Sequence, residues 1–237
     1  MVLRVLTTDL MKIRRKLIWF LVFLGPFGVI ALQAANFGIR YDYLTNLYAD
    51  NLWEGLIHDV QSLAIPTLLL GLSIITSMLA NIEHQTNAWK QLLALPITKR
   101  SVFISKLALA LFLLFLSSSL LGIGTILLGL ALKFGTDIPF LYLLKMMYYP
   151  YLAVFPFITF QIWIAISLKN QAIPLTVGII STVLSMNSSQ LNDWLPWKWP
   201  SLQNGWGDPI YSVITGLLLG LVIFMMGLLD FVRKDVK

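Results

Sequence analysis

Six long stretches without a charged residue dominate this sequence of 237 residues. They cover residues 17–39, 60–82, 107–132, 146–168, 170–192 and 209–229. A helix of about 20 apolar residues spans the hydrocarbon core of a bilayer, where every backbone polar group must be satisfied within the protein. We therefore expect an all-α membrane protein, one domain over residues 1–237, with six transmembrane helices. The expected spans are about 17–37, 60–82, 106–132, 147–168, 171–190 and 210–230.

The composition leaves little room for a soluble domain. Charged residues make up 12% of the chain and hydrophobic residues 58%, whereas soluble domains average about 25% charged residues. The chain has no cysteine, which excludes disulfides, thiol nucleophiles and thiolate metal sites. It also lacks the Gly-x-x-x-x-Gly-Lys-Ser/Thr phosphate loop. We predict that this chain is not an enzyme and binds no cofactor or metal itself.

The distribution of basic residues predicts the membrane topology. Thirteen of the 17 Lys and Arg residues precede the first stretch, separate the second from the third and the fourth from the fifth, or follow the last. Basic residues accumulate in cytoplasmic loops, so this bias predicts an even number of spans and two cytoplasmic termini. The net charge of +6 is then a topology signal, and we expect no nucleic-acid partner.

The fifth stretch is the shortest in its firmly apolar part. Residues 172–186 would form about 22 Å of helix, against about 30 Å of hydrocarbon. A re-entrant segment is the alternative, and it would move the C-terminus outside the cell. In that topology fewer of the Lys and Arg residues would lie on the cytoplasmic side, so the charge distribution favours a sixth crossing.

Residues 1–16 show the periodicity of an amphipathic helix. Apolar side chains recur every three or four residues, and polar ones gather on the opposite side. The apolar set is Leu3, Leu6, Leu10, Ile13 and Leu17, and the polar set is Arg4, Thr8, Lys12 and Arg15. We expect an interfacial helix with its basic side towards anionic membrane lipid. A cytoplasmic extension of the first span is the alternative.

The segment between the second and third spans predicts a short helix on the cytoplasmic surface. Trp89, Leu92 and Leu93 share one helical face, and Pro96 ends that helix. Ser101 is expected to cap the next helix. An exposed Trp and Leu face beside basic residues is typical of a docking surface for a cytosolic partner. A helix that only rests on lipid headgroups is the alternative.

The same segment carries a recognisable order of residues. Glu83 is followed by Trp89, the run Leu-Leu-Ala-Leu-Pro-Ile over residues 92–97, the basic pair Lys99 and Arg100, and Lys106. This order resembles the ABC-2 type permeases of ATP-binding cassette exporters. It is most similar to the six-span permeases of lantibiotic-immunity and peptide-antibiotic transporters.

The resemblance implies a transporter subunit in the bacterial cytoplasmic membrane. Cytosolic ATP-binding cassette subunits would hold ATP and Mg²⁺, and a second permease copy or paralogue would complete the path. The implied cargo is an antimicrobial peptide or drug, exported for self-immunity or resistance. A non-transporting scaffold or regulatory protein is the alternative. The implied coupling residues are Glu83, Trp89, Leu92, Leu93, Pro96, Lys99 and Arg100.

The six stretches contain no Asp, Glu, Lys, Arg or His. Such residues usually carry the protons of ion-coupled transporters, and intramembrane hydrolysis needs an acid pair, a metal set or a serine with a base. A separate ATPase therefore explains the energy source better than a proton gradient. Sodium held by backbone carbonyls is the alternative.

Small residues four positions apart predict close approach of helices. The pairs are Ser118 with Gly122 and Gly216 with Gly220, and such spacing lets two helix backbones pack tightly. The faces serve either packing within one subunit or the interface between two permeases.

Four tryptophans gather between the fifth and sixth spans. They are Trp194, Trp197, Trp199 and Trp206. Tryptophan accumulates at membrane interfaces, so interfacial anchoring is one interpretation. A lid over the outer end of the transport path is the other.

Overall fold

The computed structural model describes residues 2–14, 16–85 and 98–233. These residues form nine α-helices and two short 3₁₀ turns, without a strand. The helices are α1 (Val2–Ile13), α2 (Ile18–Ile39), α3 (Tyr41–Leu47), α4 (Leu52–Gln85), α5 (Lys99–Ala131), α6 (Phe140–Ala153), α7 (Phe155–Ser167), α8 (Ala172–Met186) and α9 (Pro209–Arg233). The turns are Ser188–Gln190 and Trp199–Ser201. The expected all-α class is confirmed.

Five segments are long and apolar enough to cross a membrane. They are α2, α4, α5, the pair α6 and α7 over Phe140–Ser167, and α9. Each overlaps one of the expected spans. Helix α8 is apolar but has 15 residues, so it falls short of the length of the other five.

Three spans begin earlier than expected. Helix α4 starts at Leu52 rather than near residue 60, α5 at Lys99 rather than near residue 106, and α6 at Phe140 rather than near residue 147. Charged residues mark where the hydrocarbon ends, but they do not stop a helix in the aqueous phase. Thr98 caps α5, because its side chain accepts a hydrogen bond of 3.2 Å from the Ser101 amide. The expectation that Ser101 is the cap is therefore wrong.

The fourth span is broken at Val154. This residue ends α6, and its amide donates to the Pro150 carbonyl at 2.9 Å. Pro156 then stands in the first turn of α7, where its missing N–H costs no helical hydrogen bond. The two prolines thus divide one long span into two helices.

Contacts at its two ends show how α8 lies along α4. At its beginning, Gln171 Nε2 donates to the Ala165 carbonyl at 3.0 Å, and His84 Nε2 lies 3.1 Å from the same oxygen. At its end, Ser185 borders a cavity that His58 also lines. At its middle, a Cβ on Gly178 would overlap the side chain of Ser73 on α4, so α8 lies along the central part of α4.

Two groups of buried apolar side chains form the core. One lies towards the end of the bundle that carries His84 and includes Ile13, Leu79 and Phe231. The other lies towards the end that carries His58 and includes Phe37 and Trp53. The core thus joins α1 and α9 to the spans at one end and α2 to α4 at the other.

Candidate functional site: a buried charge cluster

Four charged side chains meet where α1, α4 and α5 come together. We call Asp9, Lys12, Glu83 and Lys106 the charge cluster. Lys106 Nζ lies 2.7 Å from Glu83 Oε1 and 3.4 Å from Asp9 Oδ1. Lys12 Nζ lies 3.1 Å from Glu83 Oε1 and 3.3 Å from Asp9 Oδ1. Each lysine is therefore shared by both carboxylates, and three helices are joined by one network.

Three of these four residues are buried. Asp9 and Lys106 are 1% exposed and Glu83 is 0% exposed. Burying an isolated charge is strongly unfavourable unless it is paired and hydrogen-bonded. Here two ammonium groups balance two carboxylates, and Ser105 Oγ adds a hydrogen bond of 3.3 Å to Asp9 Oδ2. The pairing makes the burial tolerable but leaves each member dependent on the others.

Lys12 is the partly exposed member, with 30% of its side chain accessible. Burial lowers the pKa of Lys12, but the nearby carboxylates of Glu83 and Asp9 outweigh that effect, so the pKa is raised above its ordinary value of 10.5. The amphipathic pattern places Lys12 on the lipid-facing basic side. The structure instead turns it towards protein, because Asp9 and Glu83 supply closer anionic partners.

The rest of α1 also departs from the expected face. Val5 and Ile13 are buried together with Asp9, whereas Leu3 is 75% exposed and Met11 is 69% exposed. Leu6 and Leu10 of the predicted leucine face also pack against the core, so the protein-facing side of α1 includes part of that face together with Val5 and Asp9. An interfacial position for α1 stays a prediction.

The two carboxylate oxygens of Glu83 differ in their hydrogen bonding. Its Oε1 accepts from both lysines, but its Oε2 is buried and has no hydrogen-bond partner among the residues that the structure describes. Two residues further along, α4 ends at Gln85. Glu83 therefore lies at the base of the 86–97 segment, which the sequence analysis predicts to dock a partner.

The predicted coupling residues divide into two sets. Trp89, Leu92, Leu93 and Pro96 lie outside the described residues. Of the others, Lys99 and Arg100 open α5, and Lys99 Nζ donates to the Val232 carbonyl at 3.3 Å. Lys99 therefore connects the start of α5 to the last turn of α9.

Sequence reasoning missed Asp9 as a member of the cluster. Its signal is that it is the only acidic residue among the first 16, on a helix otherwise rich in Lys and Arg. An acidic residue with a lysine three positions later also allows a helical ion pair. Neither signal identifies Glu83 and Lys106 as the tertiary partners.

The predicted small-residue faces pack within the chain. A Cβ on Gly216 would lie 2.7 Å from the Ala153 carbonyl oxygen, and one on Gly220 would overlap the ring of Phe155. The two glycines therefore let α9 lie directly against α6 and α7. On α5, Ser118 is buried and Gly122 faces Met147 on α6.

The four predicted lid tryptophans point in different directions. Trp199 is 7% exposed and its Nε1 donates to the Asp193 carbonyl at 2.8 Å, while Trp197 packs against Phe157. Trp194 and Trp206 are 69% and 42% exposed. Two tryptophans therefore anchor the loop and two remain on its surface.

An ion pair closes this loop. Lys198 Nζ lies 2.7 Å from Asp193 Oδ1. This lysine and the Gly205 amide together lower the pKa of Asp193. The loop therefore has a fixed polar centre at ordinary pH, which holds the inward tryptophans in place.

The long apolar helices define a multi-pass membrane protein. The sequence profile of the ABC-2 family transporter proteins matches residues 5–185, about three quarters of the chain. The chain belongs to this family, which confirms the coarser part of the resemblance. It is thus the permease component of an ATP-binding cassette transporter. No curated protein matches the chain.

Family membership has two direct implications. The permease is a membrane transport component rather than a catalytic one. Membership in the family also implies a partner subunit that carries an ATP-binding cassette.

Proposed function

We propose that this chain is the permease subunit of an exporter that moves an amphipathic cargo through the membrane. The family and its long apolar helices support a transport role. The six uncharged stretches hold no ionisable side chain for proton coupling. The energy is therefore expected to come from ATP and Mg²⁺ on cytosolic partner subunits.

The proposed topology has six crossings and both termini in the cytoplasm. The bias of Lys and Arg towards alternate segments supports it. Helix α8 is consistent with it, since this apolar helix packs along α4 with Gly178 against Ser73. The charge cluster then lies on the cytoplasmic side, and His58 and the tryptophan loop lie on the outer side of a bacterial cytoplasmic membrane.

The observation that carries the coupling proposal is the position of the charge cluster. Glu83 is two residues from the end of α4, and Lys106 lies in the second turn of α5. The 86–97 segment is thus held at both ends by residues of one buried ion pair. A movement of that segment, driven by an ATPase subunit, would displace α4 and α5 together.

Helix α1 would move with these two spans. Asp9 and Lys12 bind the same lysine and glutamate that connect α4 to α5. The network therefore makes α1, α4 and α5 one mechanical unit at this end of the bundle. In this proposal Trp89, Leu92, Leu93 and Pro96 form the contact surface, and Glu83, Lys99 and Arg100 anchor it.

The assembly and the cargo follow from the resemblance. A second permease copy or paralogue would pair with this chain, and an antimicrobial peptide or drug would leave the membrane between them. The benefit to the cell would be self-immunity or antibiotic resistance. Trp194 and Trp206, which are exposed, would meet the cargo at the outer surface.

The first experiment is recovery of the tagged protein from native membranes in a mild detergent, followed by mass spectrometry. We expect an ATP-binding cassette subunit, with or without a second six-span protein. A stable, well-extracted chain that repeatedly brings no such subunit would contradict the proposal. A variant with Trp89→Ala should recover less of the ATPase, whereas Trp194→Ala on the outer loop should recover the wild-type amount.

A further inference from the structure

A narrow apolar crevice runs between α2, α4, α5 and α6. Its open space is about 50 Å³. The lining is aliphatic apart from Thr67, Ser117 and Ser118, and it includes Leu21, Val29, Leu68, Ile75, Leu114 and Leu121. A crevice of this volume and lining accommodates a few methylene groups of a hydrocarbon chain rather than a bulky ring system.

A polar cavity of about 370 Å³ lies at the end of the bundle that carries His58. Helices α4, α6 and α8, together with residues 188–209, surround it. Five serines and two glutamines line it: Ser62, Ser185, Ser188, Ser189, Ser201, Gln61 and Gln203. Among the described residues, its lining contains no Asp, Glu, Lys or Arg.

The two spaces share a wall. Ile65 on α4 and Met146 on α6 line both the crevice and the cavity. Methionine has three rotatable bonds and adapts readily to a changed neighbour. A ligand that passes these two side chains would have its apolar part in the crevice and its polar part in the cavity.

Gln61 indicates which hydrogen-bonding group the polar part of the ligand must carry. It is 7% exposed, and its Nε2 has no hydrogen-bond acceptor among the residues that the structure describes. A buried amide donor without a partner is unfavourable, so an acceptor brought by a ligand would satisfy it. Hydroxyl and carbonyl oxygens are such acceptors, and the serines around Gln61 can donate to them or accept from them.

The cavity lining favours an uncharged head over a charged one. Within the described part of the chain, it offers no Asp, Glu, Lys or Arg to pair with a carboxylate, phosphate or ammonium group, and the one lining histidine, His58, already has Asp59 Oδ1 3.8 Å from its Nδ1. Asp59, next to the lining residue His58, is occupied by a hydrogen bond of 2.8 Å from Tyr48 Oη. An uncharged polyol or amide head matches the donors and acceptors that remain.

We propose that the crevice and the cavity together bind one amphiphile with a slender apolar chain and an uncharged head rich in hydroxyl or amide groups. This site would give the transporter its cargo class, and its role in transport rests on the function proposed above. Binding of the amphiphile does not depend on that function, because the site lies within a single chain. The ligand chemistry is also that of a neutral glycolipid, so cargo and resident lipid must be separated by experiment.

The absence of cysteine makes a direct binding test practical. We would place one thiol in the cavity by Ser189→Cys and a control thiol on the α5–α6 loop by Thr136→Cys, both exposed positions. The chain, in lipid nanodiscs, would be labelled with a membrane-impermeant maleimide. Decyl maltoside should slow labelling of the Ser189→Cys thiol at least fivefold and leave the Thr136→Cys thiol unchanged. Decyl trimethylammonium, with the same chain and a charged head, should protect neither.

Two further variants test the crevice. A Cβ on Gly71, which lines the crevice, or on Gly28, which does not, would meet no atom within 4 Å. Gly71→Leu therefore fills the crevice without a clash and should abolish protection by decyl maltoside. Gly28→Leu is the matched control and should preserve it.

A third variant tests the head group. Gln61→Leu removes an amide whose donor has no partner, so folding should not suffer. It should weaken the apparent affinity for decyl maltoside about tenfold, the loss expected when one buried hydrogen bond is removed.

Several results would overturn the site. These are the absence of protection in the parent chain, equal protection by the charged amphiphile, and equal protection in the Gly71→Leu and Gly28→Leu variants. The labelling assay needs no ATPase, so its failure would leave the proposed transport function untouched.

A second assay separates cargo from resident lipid. In the complex with the ATPase subunit, decyl maltoside should stimulate ATP hydrolysis in the Gly28→Leu variant and not in the Gly71→Leu variant. Protection as expected, with equal stimulation in both variants, would identify a resident lipid and overturn the cargo role. Failure to recover any ATPase partner would count against the proposed function instead.

Discussion

Lys106 Nζ lies 2.7 Å from Glu83 Oε1, and both residues are 1% exposed or less. The pair joins α4 to α5 at the place where both helices approach the 86–97 segment. Removing one partner from a buried ion pair is far more harmful than replacing both with apolar groups, because the survivor remains charged and desolvated. This asymmetry makes the pair a sensitive test of the charge cluster.

We expect Lys106→Met to destabilise the chain by about 3–5 kcal/mol, the usual effect of leaving a buried charge without its partner. The double variant Glu83→Leu with Lys106→Met should recover most of that loss. Unfolding in a mild detergent, followed by far-UV circular dichroism, measures both effects. Losses that simply add in the double variant would show that the two side chains do not interact.

Lys12 provides a test that depends on pH. Its pKa is raised in the folded chain, so the stabilisation by its positive charge is present below about 10.5 and is lost as the pH rises through the folded-state pKa. The melting temperature of wild type should exceed that of Lys12→Met by a constant amount between about pH 7 and 9.5. The difference should shrink above pH 10.5, and a difference that shrinks near neutral pH would contradict the assignment.

Trp89→Ala tests coupling. We expect membrane insertion and unfolding temperature to stay unchanged, because Trp89 is predicted to face the ATPase subunit. Cargo-stimulated ATP hydrolysis by the reconstituted complex should fall about tenfold or more, as hot-spot tryptophans at interfaces commonly contribute 2 kcal/mol or more. Phe140→Ala, which removes an exposed aromatic side chain with no proposed contact to cargo or ATPase, is the control. Normal stimulation of ATP hydrolysis in the Trp89→Ala variant would contradict the coupling role.

Gly216→Ala tests the packing of α9. The new methyl group would lie 2.7 Å from the backbone oxygen of Ala153, which cannot rotate away. We expect a loss of about 1–3 kcal/mol, typical of an overpacked contact. Gly28→Ala, whose Cβ meets nothing within 4 Å, should not be destabilised. Equal melting temperatures for the two variants would contradict the close contact.

A reporter fused after Lys237 tests the proposed topology. Phosphatase and fluorescent-protein fusions at this position should give a cytoplasmic signal if α8 crosses the membrane. Fusions after Met186 should give an external signal. A C-terminal reporter outside the cell would show that α8 does not cross and that the chain has five spans.

The positions of the five long apolar segments could be predicted because charge is excluded from the hydrocarbon, whereas the fifth of the six expected spans corresponds to α8, which has only 15 residues. The exact starts could not be predicted, since α4 and α5 continue into water, where exposed charged residues such as Glu54 and Arg100 are tolerated. Pro150 and Pro156 flank the break at Val154. Its position, however, depends on local geometry that periodicity does not report.

The charge cluster shows where sequence reasoning stops. Glu83 and Lys106 were identified from the resemblance, but their pairing with Asp9 and Lys12 depends on how α1 packs against α5. An amphipathic pattern gives a helix two sides without specifying which side meets protein. Here Leu6, Leu10 and Ile13 pack in or against the core, and Asp9 is buried on the same helix.

The hydrogen bond from Lys99 to the Val232 carbonyl brings two distant parts of the sequence together. The chain leaves α9 at Arg233, beside the residue at which it emerges from the 86–97 segment. An affinity tag at the C-terminus would therefore crowd the surface where an ATPase is proposed to bind. An ATPase joined there by a short flexible linker would instead be tethered at a local concentration in the millimolar range. A single-chain fusion of the two subunits is thus geometrically favoured at this terminus.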